Sequence, residues 1–207
     1  SEQPSSTELR SIISICTSLL QRSTNNSRQA LSYCTSNQGF ADLYSAFYTF
    51  DHSHWPQLQS WDAKIETDIP SHYIVTEAVF ICTLMRIYCL PEKTPDPLQL
   101  SQLEGYLTRL QIWAKLCPIN FDPQYQIAKA VYYAQVRPLA QAMAQFEIAL
   151  LSVEKQGHLQ HQILCYRYYA QLLKEHHIGL SALCKEKQRD LERHWLALDN
   201  LKVTKQV

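Results

Sequence analysis

The stretch DPQYQIAKAVYYAQVRPLAQAMAQFEIALLSVEKQG, residues 122–157, decides the fold. Apolar side chains recur in it at helical spacing, interrupted at Arg137 and Pro138 and closed by Gly157. Two helices are therefore predicted, over about 123–136 and 139–156, joined by a connection too short for anything but a tight reversal. Ala130 and Tyr133 fall on the first helix, and Ala142, Phe146 and Ala149 on the second. Small side chains let two helices approach closely, and an aromatic beside them fills the adjoining gap.

The same signal extends in both directions. Downstream, helices are predicted over about 159–176 and from about 180 to 195, with the tail LKVTKQV frayed. Upstream, Leu103, Tyr106, Leu110, Trp113 and Cys117 form a stripe that Pro118 ends. Pro91, Pro95 and Pro97 mark a linker. Before it, a helix opening at Pro70 and Ser71 carries Ile74, Ala78, Ile81 and Met85, with Val75, Val79 and Cys82 widening its apolar surface. That helix is expected to be central. Nearer the start, Ser5 and Glu8 have capping-box spacing before Leu9, Ile12, Cys16, Leu19 and Leu20. Asn25 and Asn26 break that helix; further helical stretches run through Leu31, through Phe40 to Phe50, and from Trp55 and Pro56 through Leu58, Trp61 and Ile65. No stretch alternates at period two, so the fold class is all-α.

Composition agrees. Leucine (27), glutamine (20) and alanine (16) outnumber valine (7), a helix-favouring balance. Four glycines in 207 residues leave little for Gly-rich phosphate loops. Nineteen Lys+Arg cancel nineteen Asp+Glu, so no electrostatic argument exists for a nucleic-acid partner. The longest uncharged apolar run, residues 78–85, is far short of the roughly 20 residues a membrane helix needs. Seven cysteines without any C-x-x-C fit buried thiols in a reducing cytoplasm. The polar start lacks an initiating Met, which points to a segment of a longer chain.

Helix pairs at a spacing near 34 residues match the tetratricopeptide period. One unit beginning at Asp122 and Pro123 fits, although Glu154 stands where a closing proline is usual. A second unit has Ala170, Leu173 and Ala182 in place, with Glu186 and Arg189 replacing an aromatic and a small residue. The rival is an ordinary bundle with alanine at its contacts. The expected architecture is antiparallel helix pairs stacked as a tetratricopeptide-like right-handed superhelix. Its divisions are N-terminal hairpins or a cap (1–92), a Pro-rich linker (93–100), the helix pairs (101–197) and a tail (198–207).

A longer resemblance points the same way. Residues 107–135, with Trp113, Ala114, Cys117, Pro118, Asn120, Phe121 and Tyr125, resemble a recurring segment of large bacterial multi-sensor kinases. In those proteins a kinase domain and a STAND-type ATPase precede a long tetratricopeptide-like helical region, followed by GAF and histidine-kinase modules. Phe146, Glu147, Ala149, Gly157 and Ala170 are similar to a downstream part of that region. The chain departs from it where Asp122 replaces a histidine and where Leu196 replaces the glycine after Trp195. The resemblance covers residues 71–195 and implies a regulatory or docking role. The catalytic parts of such proteins have no counterpart: G-x-x-x-x-G-K-[ST], H-R-D and D-F-G are all missing.

No residues are assigned to catalysis, and no cofactor is implied. His158 and His161, three apart, lie about 25 Å along a helix from His176 and His177, too far to share a metal. His52 and His54 lack a carboxylate or cysteine partner at ligand spacing. Carboxylate pairs such as Glu66/Asp68 and Asp190/Glu192 are two apart and diverge on a helix. In KEKQRDLERHW, residues 185–195, Glu186, Arg189, Asp190 and Arg193 are spaced to pair along a solvated face.

On the helix after Gly157, Leu159, Ile163, Tyr166, Ala170 and Leu173 form the expected core stripe. Arg167, Gln171 and Lys174 form a polar stripe at i, i+4 and i+7. In a tetratricopeptide arrangement this stripe faces the groove, with Gln124 and Gln135 at comparable positions one unit earlier; a solvated outer face is the alternative. The functional expectation is a cytoplasmic, non-catalytic module that binds a protein or peptide, including upstream ATPase or kinase domains of a larger chain, with no membrane insertion. Alternatives are a small-molecule sensor whose pocket draws on the twelve tyrosines, an enzyme with a pocket assembled from distant residues, and a free-standing adaptor or effector regulator.

Overall fold

The computed structural model describes residues 72–90 and 96–203. The readings made before residue 72, including the Ser5 cap, Cys16, Cys34, His52, His54 and Glu66/Asp68, lie outside the described residues. The chain divides into two compact units, Ser1–Cys89 and Leu90–Val207. Among the described residues the only regular structure is helical.

In the first unit, α1 spans His72–Tyr88. Ala78, Val79, Phe80, Ile81, Cys82, Leu84, Met85 and Ile87 are all buried, so the helix is covered around its whole circumference, as its widened apolar surface requires. Thr83 lies within this apolar run, and its hydroxyl donates to the Val79 carbonyl at 2.6 Å.

The second unit contains α2 (Pro97–Leu116), α3 (Pro118–Val136), α4 (Leu139–Gln156), α5 (Leu159–Leu173) and α6 (Ile178–Val203). Asp96 caps α2, its Oδ1 accepting from the Leu98 N–H at 3.1 Å, and Pro97 occupies the first helical position. Residues 97–100, expected in the linker, are thus helical. Leu103, Leu107, Leu110 and Ala114 bury one face of α2, while Tyr106 and Trp113, expected in the core stripe, are half-buried.

Cys117 alone joins α2 to α3. Its N–H donates to the Trp113 carbonyl, and its own carbonyl accepts from Asn120 and Phe121. Pro118 ends one helix and starts the next, so α3 begins five residues before the expected Pro123. Pro123 instead sits inside α3. It has no N–H to give the Ile119 carbonyl, which would normally be its helical acceptor. His158, at the start of α5, supplies the missing bond from its ring Nε2 at 3.2 Å.

Arg137 and Pro138 separate α3 from α4, and Gly157 and His158 separate α4 from α5. Ala142, Phe146, Ala149 and Val153 of α4 are buried, as the small–aromatic–small pattern predicts. Gly157 closes α4 with φ 70°, the left-handed conformation that glycine adopts without penalty. No atom would lie within 4 Å of an added Cβ there. Gly157→Ala is therefore expected to cost about 1 kcal/mol from backbone strain alone, read by urea unfolding.

Neighbouring helices run antiparallel. Trp113 and Glu104 of α2 meet Phe121 and Tyr132 of α3, the higher residue of one helix against the lower of the other. The same crossing holds for Asp122–Ser152 and Gln126–Gln145 between α3 and α4, and for Glu154–Tyr166 and Glu147–Tyr169 between α4 and α5. Ala170–Ser181 and Arg167–Glu192 repeat it between α5 and α6. Besides these sequential contacts, α3 touches α5.

With three helical neighbours, α5 buries far more than one stripe: His161, Ile163, Leu164, Cys165, Tyr168, Tyr169, Ala170 and Leu173. Leu159 and Tyr166, expected in the core, are half-buried at its edges. The last helix runs on through Val203, past the expected end near Trp195. No helix among the described residues is long and apolar enough to cross a membrane.

Candidate functional site

The five expected contact residues fall in different environments. Gln171 and Lys174 are exposed at the C-terminal end of α5. Gln135 is exposed near the end of α3. Arg167 is half-buried, and its guanidinium pairs with Glu192 of α6 at 3.1 Å, so it fastens α5 to α6. Such a part-exposed pair contributes at most about 1 kcal/mol. Gln124 departs furthest from expectation. It is 2% exposed within α3, which is hemmed in by α2, α4 and α5, and it presents nothing to a partner.

Polar chains cross the helix seams. Asp122 accepts from Ser152 Oγ at 2.5 Å and from Gln126 Nε2 at 3.0 Å, and Gln126 in turn accepts from Gln145 at 2.9 Å. Both carboxylate oxygens of Asp122 are thus engaged between α3 and α4. On the next seam, Tyr169 donates to Glu147 at 2.8 Å and Tyr166 to Glu154 at 3.0 Å. Burial, then the bond to Glu154, pushes the Tyr166 phenol up to about 12; burial and Glu147 push Tyr169 up as well. Burial likewise raises the Cys165 and Cys184 thiols, with acidic Glu147 adding to both. At neutral pH these phenols and thiols stay protonated, the form suited to holding helices together rather than to nucleophilic attack.

The His158 and His161 rings meet at a tilt, centroids 5.4 Å apart. His161 is buried, and that burial, followed by the nearby His158, lowers its pKa to about 3. Among the described residues no group of three His, Cys, Asp or Glu is placed to hold a metal ion.

A second surface emerges on α3. The Lys129 ammonium lies over the rings of both Tyr125 and Tyr133, at 5.8 and 5.5 Å, and the Arg137 guanidinium lies over Tyr133 at 5.7 Å. Tyr125, Lys129, Tyr133 and Arg137 are spaced four apart, and the first three are half-buried. Across the Cys117 corner the alternation continues, Arg109 lying 4.8 Å over Trp113, which meets Phe121 at 6.4 Å. Reading the sequence for core and repeat positions passed over this ladder. Its signal was there in the i, i+4 alternation of ring and cation. No protein-family model, curated protein or solved structure matches this chain.

Proposed function

We propose that residues 97–203 form a tetratricopeptide-like, right-handed stack of helix pairs whose task is to bind another protein, without catalysis. The observation that carries this reading is the packing of α3 on α5 across the intervening α4. Contact between alternate helices is what stacking of successive pairs requires, because each pair buries its apolar side on the next. The buried Ala142, Phe146 and Ala149, and the resemblance of residues 71–195 to the helical region of multi-sensor kinases, support the same conclusion. The module serves a regulatory or scaffolding role in cytoplasmic bacterial signalling, beside ATPase or kinase domains.

The exposed end of α5 is the first place to test. Gln171→Ala combined with Lys174→Ala leaves the Arg167–Glu192 pair intact and removes no buried group. Chemical crosslinking and capture from the source lysate is expected to fall about tenfold in this variant, a loss of roughly 1.4 kcal/mol. Unchanged capture would remove α5 as the contact face.

A further inference from the structure

We propose that the ring–cation ladder on α3, Tyr125, Lys129, Tyr133 and Arg137, is the docking strip of this module and that its occupant is an acidic, glutamate- or aspartate-rich peptide segment. The inference rests on the protein-binding reading and supplies the chemistry of the partner.

Local charge balance is the first argument. The chain as a whole is neutral, but residues 97–137 contain Arg109, Lys115, Lys129 and Arg137 against only Glu104 and Asp122. One of those carboxylates is engaged between α3 and α4. Asp122 takes hydrogen bonds from Ser152 and Gln126, and Glu104, exposed on α2, lies near Tyr132. The α2–α3 hairpin therefore carries a net positive charge. Among the described residues of this unit, the ion pairs Arg167–Glu192 and Asp190–Arg193 leave Lys129 and Arg137 aside.

Pre-organisation is the second. A lysine on an exposed helix normally samples many rotamers, and fixing it costs a bound partner affinity. Lys129 is already held between two rings, and Arg137 against one of them, within the roughly 6 Å at which a cation is attracted to an aromatic face. The two cations are eight residues apart on one helix, about 12 Å along its axis. An acidic helix reaches that spacing with carboxylates seven or eight residues apart, and an extended strand with carboxylates four apart.

The same geometry separates this occupant from a single-stranded nucleic acid, the other polyanion that favours Lys, Arg and Tyr. Such ligands stack their bases on open aromatic faces. Here cations already cover the Tyr125 and Tyr133 rings, leaving a row of positive charge and not a stacking platform.

Fluorescence anisotropy of the full chain with a labelled Glu/Ala-rich peptide tests the proposal. The controls are a Gln/Ala peptide of equal length and an oligodeoxythymidine. The Glu/Ala peptide is expected to bind and the Gln/Ala peptide not. Binding should weaken at about 1 M salt, where charges more than ~3 Å apart are screened. Lys129→Gln with Arg137→Gln should weaken it at least about tenfold, whereas Lys129→Arg with Arg137→Lys should retain it. Thermal unfolding by circular dichroism establishes that each variant is folded. Failure of the Glu/Ala peptide to bind, equal binding by the Gln variant, or tighter binding of the oligonucleotide lost in that variant would each overturn the proposal. If acidic-peptide binding survives in the Gln variant but not in Gln171→Ala/Lys174→Ala, the ladder falls and the protein-binding reading stands. Failure of the unaltered chain to bind any peptide and to capture any protein from the lysate would remove both.

Discussion

Phe146→Ala is expected to lower the free energy of unfolding by about 3–5 kcal/mol, the usual cost of emptying a fully buried aromatic site. Phe146 is 1% exposed on α4, and its ring stacks on Tyr169 of α5 with centroids 5.0 Å apart and an interplanar angle of 7°. Truncation removes the ring from the α4–α5 seam and deprives Tyr169 of the surface against which it lies. The neighbours cannot collapse into the gap easily. Ala142 and Ala149, a turn away on either side, are too small to fill it, and Tyr169 is tethered through its hydroxyl to Glu147. Domains are commonly stable by only about 5–15 kcal/mol, so the loss is a large share of the total. Tyr169→Phe is the companion variant. It keeps the stack and removes only the hydroxyl bond to Glu147, and it should cost about 1 kcal/mol. Urea unfolding at neutral pH measures both. A Phe146→Ala cost below that of Tyr169→Phe would mean that the α4–α5 seam does not hold this unit together.

The second large effect is on acid stability. His161 is buried and neutral in the folded chain, its pKa lowered from 6.5 to about 3, first by burial and then by His158. The unfolded chain takes up a proton on this ring as pH drops through 6.5, while the folded chain resists until about pH 3. Its contribution is therefore fully present above pH 6.5, declines as pH falls and is gone by about pH 3. Each unit of pH in that window is worth about 1.4 kcal/mol. Between pH 6.5 and 4.5 the wild type should lose roughly 2–3 kcal/mol relative to His161→Gln, which has no titrating ring at this site. Urea unfolding across that range gives the comparison. Parallel profiles for the two proteins would show that the imidazole does not set the acid limit.

Much of the fold was legible because punctuation and periodicity agreed. Pro138 and Gly157 bracket α4, and its bounds followed from the sequence alone. Pro123 misled for a physical reason. A proline ordinarily opens a helix because its missing N–H is not needed there, and nothing local announces that His158, 39 residues later, satisfies the carbonyl it leaves behind. The width of the α5 core was hidden in the same way. Periodicity marks one apolar stripe, but burial on several sides comes from the arrival of α3, α4 and α6, and that depends on tertiary packing. Gln124 illustrates the consequence for the site, since a polar residue at a groove-like spacing was enclosed by helices distant in sequence. Gln171 and Lys174 lay where spacing put them, on an exposed face. The ladder on α3 could have been read from residue types and spacing alone, had ring–cation alternation been weighed beside core periodicity.

The single-residue joint at Cys117 restricts how this protein can change over evolutionary time. One residue inserted there would turn α3 about 100° around its axis relative to α2, swinging Ile127, Ala128 and Val131 away from the interior. With two residues at each of the next two joints, there is little slack nearby to absorb such a shift. Descendants can lengthen or shorten this part of the chain by duplicating or deleting complete hairpins, while drift by single residues is closed to them.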